Sequence, residues 1–128
     1  KIFPKGSLLI GMYDTAAFKM SILDRDAAFN QAISAVKPNK KIHMLYLLLY
    51  FSKNKEEYLK YRNGIRQQNL NKRFISNIEI HLPSIEEQKA IVAQIEQEEQ
   101  YVEACKKLIE LNKQKITDKI KSIWNSEE

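Results

Sequence analysis

The sequence contains few glycines, prolines and cysteines, and it has no long hydrophobic run. Its three glycines, Gly6, Gly11 and Gly64, are too far apart for the glycine-rich turns that bind nucleotide phosphates or a methyltransferase cofactor. The single cysteine, Cys105, excludes an internal disulfide. The longest apolar run, residues 42–51, is much shorter than the ~20 residues that a membrane-spanning helix needs. We therefore expect no membrane partner, and we find no signal peptide.

Motifs for catalysis are also scarce. His43 and His81 lie far apart, with no cysteine or carboxylate at ligand spacing, so we expect no metal site. No nucleophile elbow supports a Ser-His-Asp triad. Residues 87–89 match the E-x-K pattern of some nucleases, but Glu87 stands where a helix-capping residue is expected. We interpret the chain as non-enzymatic, with no cofactor of its own.

The net charge of +5 is unevenly distributed along the chain. Residues 1–80 hold 14 Lys/Arg against 6 Asp/Glu, whereas residues 81–128 hold 7 against 10. A positive globular part favours a polyanionic partner, because each phosphate contact releases condensed counterions. A basic domain with no nucleic acid partner is the alternative.

Pro83 separates two kinds of pattern. The part before it is short and mixed, and we predict strands at 7–12, 18–23, 28–36 and 77–82 with helices at 42–52, 55–62 and 70–76. After it, residues 84–87 form a capping box, and neither Pro nor Gly occurs from there to Trp124. The sequence therefore predicts an α+β protein: a small mixed domain followed by one coiled-coil-type helix, ~60 Å long.

An apolar stripe runs along this predicted helix. Its members are expected to contact a partner: Ile91, Ile95, Val102, Ile109, Ile116, Ile120 and Ile123. Five of them recur every seven residues, but the second core position of the heptad is mostly polar. The pattern fits packing against one or two dissimilar helices, antiparallel ones included, better than a parallel zipper. A helix folded back on its own domain is the alternative.

Two segments carry candidate DNA-binding residues. The first combines cations with Asn and Gln side chains around one glycine: Arg62, Asn63, Arg66, Gln67, Gln68, Asn69, Lys72 and Arg73. Arginine can bond guanine bidentately, and Asn or Gln can do so with adenine, whereas Lys72 and Arg73 are suited to phosphate. The second is the loop at residues 11–15, with Met12 and Tyr13. A solvated polar connection is the alternative for the first segment, and Tyr13 can equally cover the core.

Several stretches together are similar to a known family. They are Lys5–Ile10, Asn30–Ile33, Gly64 with Gln68 and Leu70, Ile75–Pro83, and Glu86–Val92. These stretches resemble the specificity subunit of type I restriction-modification systems, where a target-recognition domain runs into a conserved spacer helix. His81 and Ser84 stand where the family often carries proline.

The resemblance implies a division into a target-recognition domain at 1–83, expected to lack its N-terminal portion, and a spacer helix at 84–128. It implies sequence-specific binding of double-stranded DNA, with the helix setting half-site spacing and docking modification subunits. S-adenosylmethionine, ATP and Mg²⁺ would serve the partner modification and restriction subunits, in a prokaryotic cytoplasm. We expect a truncated piece, or a half-subunit whose helix pairs with a second copy or with the subunit's other half. The rival hypothesis is a non-enzymatic protein-interaction module with incidental basic charge.

Overall fold

The computed structural model describes residues 1–13, 16–61 and 70–125. It contains a small sheet, three short helices and a long C-terminal helix, which confirms the predicted α+β class. The chain forms two compact units, Lys1–Val92 and Ala93–Glu128. The predicted domain boundary at residue 83 stays a prediction about the intact protein.

An antiparallel sheet of three strands supports the first unit. Its central strand β1 (Leu8–Gly11) lies between β2 (Met20–Ile22) and β3 (Ile33–Val36). Leu8 pairs with both neighbouring strands, and it is fully buried together with Ile10. Alternation places these two side chains on the same face of β1, which is the face that packs into the core. Three of the four predicted strands are confirmed, although each is shorter than expected.

Helices α1 (Met44–Lys53), α2 (Lys55–Leu59) and α3 (Lys72–Ser76) also belong to this unit, as predicted. The core cluster combines strand residues with an aromatic group that includes Phe18. Phe18 stacks on Tyr58 of α2, with ring centroids 5.0 Å apart, and meets the Phe51 ring of α1 edge-on. Such aromatic pairs add to the free energy that comes from apolar burial alone.

The predicted strand at 77–82 is wrong. The segment joins no ladder, and side chains of α1 hold its backbone instead: the Tyr46 hydroxyl donates to the His81 carbonyl at 2.8 Å, and the His81 amide donates to the Tyr50 hydroxyl at 3.3 Å. Ile78 and Ile80 pack against the core, as their alternation suggested. Alternation reports that one side of an extended segment is buried, and it does not require a paired strand.

The long helix α4 comprises Ile85–Trp124. Its predicted capping box is confirmed: the Glu87 amide donates to the Ser84 hydroxyl oxygen at 3.2 Å, and the Ser84 amide donates to the Glu87 carboxylate at 2.9 Å. The Ser84 hydroxyl also donates to the Glu87 carboxylate at 2.8 Å, and this bond, together with that from the Ser84 amide, holds the pKa of Glu87 below its ordinary value. The next residue, Gln88, is fully buried and bonds three backbone groups outside α4. The start of α4 is thereby attached to the rest of the first unit.

Candidate nucleic-acid interface

Three segments that are distant in sequence meet beside the end of β1. The Met12 amide donates to the Ala32 carbonyl at 2.9 Å, which attaches the turn before β3 to the end of β1. The Met12 carbonyl accepts from the Leu70 amide at 2.8 Å, which attaches the residues before α3. Backbone hydrogen bonds on both sides of Met12 therefore fix the relative positions of all three segments.

A cleft of about 520 Å³ opens where these segments meet, and we call it the β1–α3 cleft. Among the described residues, its lining consists of Met12, Tyr13, Gln31, Ile33, Leu70, Asn71 and Lys72. Met12 and Leu70 are only 5% and 1% exposed, so they form an apolar floor continuous with the core. Tyr13 is 39% exposed, and Gln31, Asn71 and Lys72 are exposed as well. The cleft thus combines an apolar floor with a polar, cationic rim.

Asn71 has a structural role at this rim. Its side-chain oxygen accepts from the Phe74 amide at 2.7 Å and caps the N-terminus of α3. The cap fixes the start of the helix, because Asn is among the residues that best satisfy the unpaired amides of a first turn. Lys72, the first residue of α3, is thereby held at the cleft with an exposed side chain. A cation in this position is suited to a phosphate oxygen.

The structure brings together predicted residues from both candidate segments. Tyr13 and Lys72 lie on the same cleft, whereas Met12 contributes mainly to its floor. Arg73 is exposed on α3, outside the cleft lining. The remaining candidates lie outside the described residues: Arg62, Asn63, Arg66, Gln67, Gln68 and Asn69.

Gln31 was not predicted as a site residue, and Asn71 lay in the polar candidate segment at residues 60–73 without being singled out. Gln31 fell inside the predicted strand at 28–36, which in the structure begins only at Ile33. The Asn30 side chain accepts from the Ala32 amide at 3.0 Å, and this local bond forms a turn in place of the strand's first residues. An Asn at the start of the predicted strand was the available signal for that turn.

The surface of α4 is the second candidate interface. Most of its predicted partner-contacting residues are between 39% and 60% exposed in this chain: Ile91, Val102, Ile109, Ile116, Ile120 and Ile123. Ile95 is half-buried. The charge of α4 changes sign along its length, since residues 85–104 hold six acidic and one basic side chain and residues 105–125 hold two and six. The helix thus carries an apolar stripe on a surface of opposite charge at its two ends.

Within residues 1–13, 16–61 and 70–125, no group of three or more His, Cys, Asp or Glu side chains is placed to hold a metal ion. In the same residues, no helix is both long and apolar enough to cross a bilayer.

Comparison with known proteins identifies the family. The model of the type I restriction modification DNA specificity domain matches residues 1–121, nearly the whole chain. The chain belongs to this family. The fold of this specificity domain also matches a solved structure whose title reads "Structural basis underlying complex assembly and conformational transition of the type I R-M system", with a TM-score of 0.70 and 24% identity. The match covers 84% of this chain and 26% of that one, so the specificity domain described here corresponds to about a quarter of that chain.

Proposed function

We propose that this chain reads double-stranded DNA as part of the specificity subunit of a type I restriction-modification complex. The observation that carries the proposal is the β1–α3 cleft, formed within a member of the DNA specificity family by residues from two predicted DNA-binding segments. Tyr13 offers an exposed ring, and Lys72 an exposed cation, on one concave surface. A duplex supplies the phosphates and base edges that such groups bind.

The charge of the first region supports a duplex as the ligand. The excess of cations over residues 1–80 attracts a polyanion independently of its base sequence, and it makes binding weaken as salt rises. The buried floor and the backbone hydrogen bonds on both sides of Met12 fix the geometry of the cleft in the absence of DNA. Contacts that are preorganised in this way cost less ordering entropy on binding.

We assign catalysis to partner subunits. Methyl transfer from S-adenosylmethionine would belong to the modification subunit, and ATP- and Mg²⁺-dependent cleavage to the restriction subunit. The glycine-poor sequence supports this division, because its three glycines form no nucleotide-binding turn. The role of this chain would be to choose the DNA site at which those subunits act, in a prokaryotic cytoplasm.

The long helix would set the distance between two half-sites and dock modification subunits. The exposed apolar stripe is suited to packing against another helix. A second long helix that runs antiparallel would place its basic end beside the acidic end of the first. That helix would come from a second copy of the chain or from the other half of the subunit. A helix of ~60 Å exceeds one DNA turn of ~34 Å, so the pair is long enough for a gapped target.

Mass analysis of a reconstituted complex tests the proposal. The chain is mixed with the modification subunit of its own system, with and without duplex DNA, and the stoichiometry is measured. We expect the chain to join the modification subunit, and the masses to distinguish one helix per complex from two. A chain that self-associates but ignores both the modification subunit and DNA would support the rival hypothesis of a protein-interaction module.

A further inference from the structure

Gln31 occupies a position on the β1–α3 cleft that suits it for reading a base. It lies in the turn before β3, is exposed, and lines the cleft with Tyr13, Asn71 and Lys72. Gln31 thus places a polar, uncharged side chain on the same cleft as the cation of Lys72. Neutral amides contribute little to attraction toward phosphate, but they match the donor and acceptor pattern of base edges.

The backbone around Gln31 is held on both sides. Before it, Asn30 closes the turn, accepting from the Ala32 amide through its side chain and from the Ile33 amide through its carbonyl. After it, the Ala32 carbonyl accepts from the Met12 amide at 2.9 Å. A side chain that must distinguish bases needs a backbone fixed in this way, because a small displacement removes bidentate geometry.

The amide of Gln31 is also available. Among the described residues it makes no hydrogen bond, whereas the oxygen of its neighbour on the rim, Asn71, is occupied by the Phe74 amide. Gln31 can thus offer its carbonyl oxygen and its NH₂ group together to a ligand. That pair matches the N6 donor and N7 acceptor of adenine in the major groove.

We propose that Gln31 is a specificity-determining residue that reads one base pair, with adenine as its preferred base, while Lys72 holds phosphate nearby. The inference rests on the proposed function, since it requires that the cleft bind duplex DNA. It separates two roles on one cleft: Gln31 determines which sequence is bound, and Lys72 determines how tightly any sequence is held.

The test is selection from a duplex library with randomised central positions, using the reconstituted complex of this chain with its modification subunit. We compare the original chain with Gln31→Ala, with Lys72→Ala, and with Ser52→Ala as a control at an exposed, uncharged position of α1 outside the cleft lining. The original and the control should enrich the same motif. Gln31→Ala should enrich a motif that has lost its adenine preference at one position, with discrimination there reduced about tenfold or more.

Lys72→Ala should keep the whole motif, bind every duplex more weakly, and lower the slope of log affinity against log salt by about one. An unchanged motif with Gln31→Ala overturns the inference about Gln31 and leaves the proposed function in place. Loss of all binding with Gln31→Ala, in a complex that still assembles, also overturns it, because a single base contact does not carry the whole affinity. If the original complex enriches no motif, the proposed function fails and the inference fails with it.

Discussion

Replacing Gln88 with alanine should destabilise the first unit, because this side chain joins the start of α4 to two other segments. Gln88 is 0% exposed. Its oxygen accepts from the His43 amide at 2.8 Å, and its nitrogen donates to the Lys41 carbonyl at 3.0 Å and to the Pro83 carbonyl at 2.9 Å. All three partners are backbone groups in irregular segments, where no ladder provides a substitute bond.

The expected magnitude follows from these three hydrogen bonds. A buried polar group that loses its partner costs roughly 1–3 kcal/mol, and water entering the vacated space recovers part of this. We therefore expect Gln88→Ala to lower the free energy of unfolding by about 2–4 kcal/mol, a large share of the 5–15 kcal/mol typical of a domain. Gln94→Ala, at an exposed position of the same helix, should cost within about 0.5 kcal/mol.

Urea unfolding followed by circular dichroism measures the stability change, and amide hydrogen exchange at His43 reports on the bond itself. Gln88→Glu gives an independent check, because glutamate has nearly the same shape as glutamine. It replaces the NH₂ group that donates to two carbonyl oxygens with a carboxylate oxygen, which can only accept. Burial there should raise the pKa of the introduced carboxyl, so this variant should recover stability as pH falls. Equal stabilities for Gln88→Ala and Gln94→Ala, with unchanged exchange at His43, would refute the reasoning.

Two further predictions concern α4. The lowered pKa of Glu87 means that its contribution to stability is present above the unfolded-state value of about 4.3 and is lost as pH falls through the folded value. Glu87→Ala should therefore lower the melting temperature at neutral pH, and lower it less at acidic pH. Glu86→Ala, the control, should have a smaller effect. A difference in melting temperature between Glu87→Ala and the original chain that did not depend on pH would contradict this prediction. Ile116→Asp should weaken assembly through the helix about tenfold or more, as mass analysis of the complex would measure, because a buried Ile contributes roughly 1.5–3 kcal/mol. The neighbouring Thr117→Asp adds the same charge outside the stripe, and an equal effect of both variants would show that the stripe is not the interface.

Much of the fold follows from local patterns in the sequence. A short apolar run with Gly6 and Gly11 as its turn residues predicts β1, and Ser84 with Glu87 predicts the start of α4, because each depends on neighbouring residues alone. The strand predicted at 77–82 fails for the converse reason. The backbone of this segment bonds to the hydroxyl groups of Tyr46 and Tyr50, which are more than 30 residues away. The sequence around residues 77–82 does not predict these partners.

The candidate site was only partly predictable. The chemistry of Tyr13 and Lys72 suggested nucleic acid binding, but their shared cleft depends on the hydrogen bond from the Leu70 amide to the Met12 carbonyl, which joins segments 58 residues apart. The position of Gln31 on the cleft was not predicted, because residues 28–36 resemble one strand and the turn at Asn30 interrupts it. Long-range pairing of this kind is set by the packing of the whole unit and cannot be inferred from residue types.

The central claim is that this chain confers sequence-specific DNA binding, and a comparison of two duplexes tests it most directly. Affinities of the reconstituted complex are measured across a range of salt concentrations for the duplex enriched by selection and for a scrambled duplex of the same composition. We expect the enriched duplex to bind at least about a thousandfold more tightly, and both affinities to fall steeply with salt. Equal affinity for the two duplexes, or the same preference in a complex lacking this chain, would contradict it.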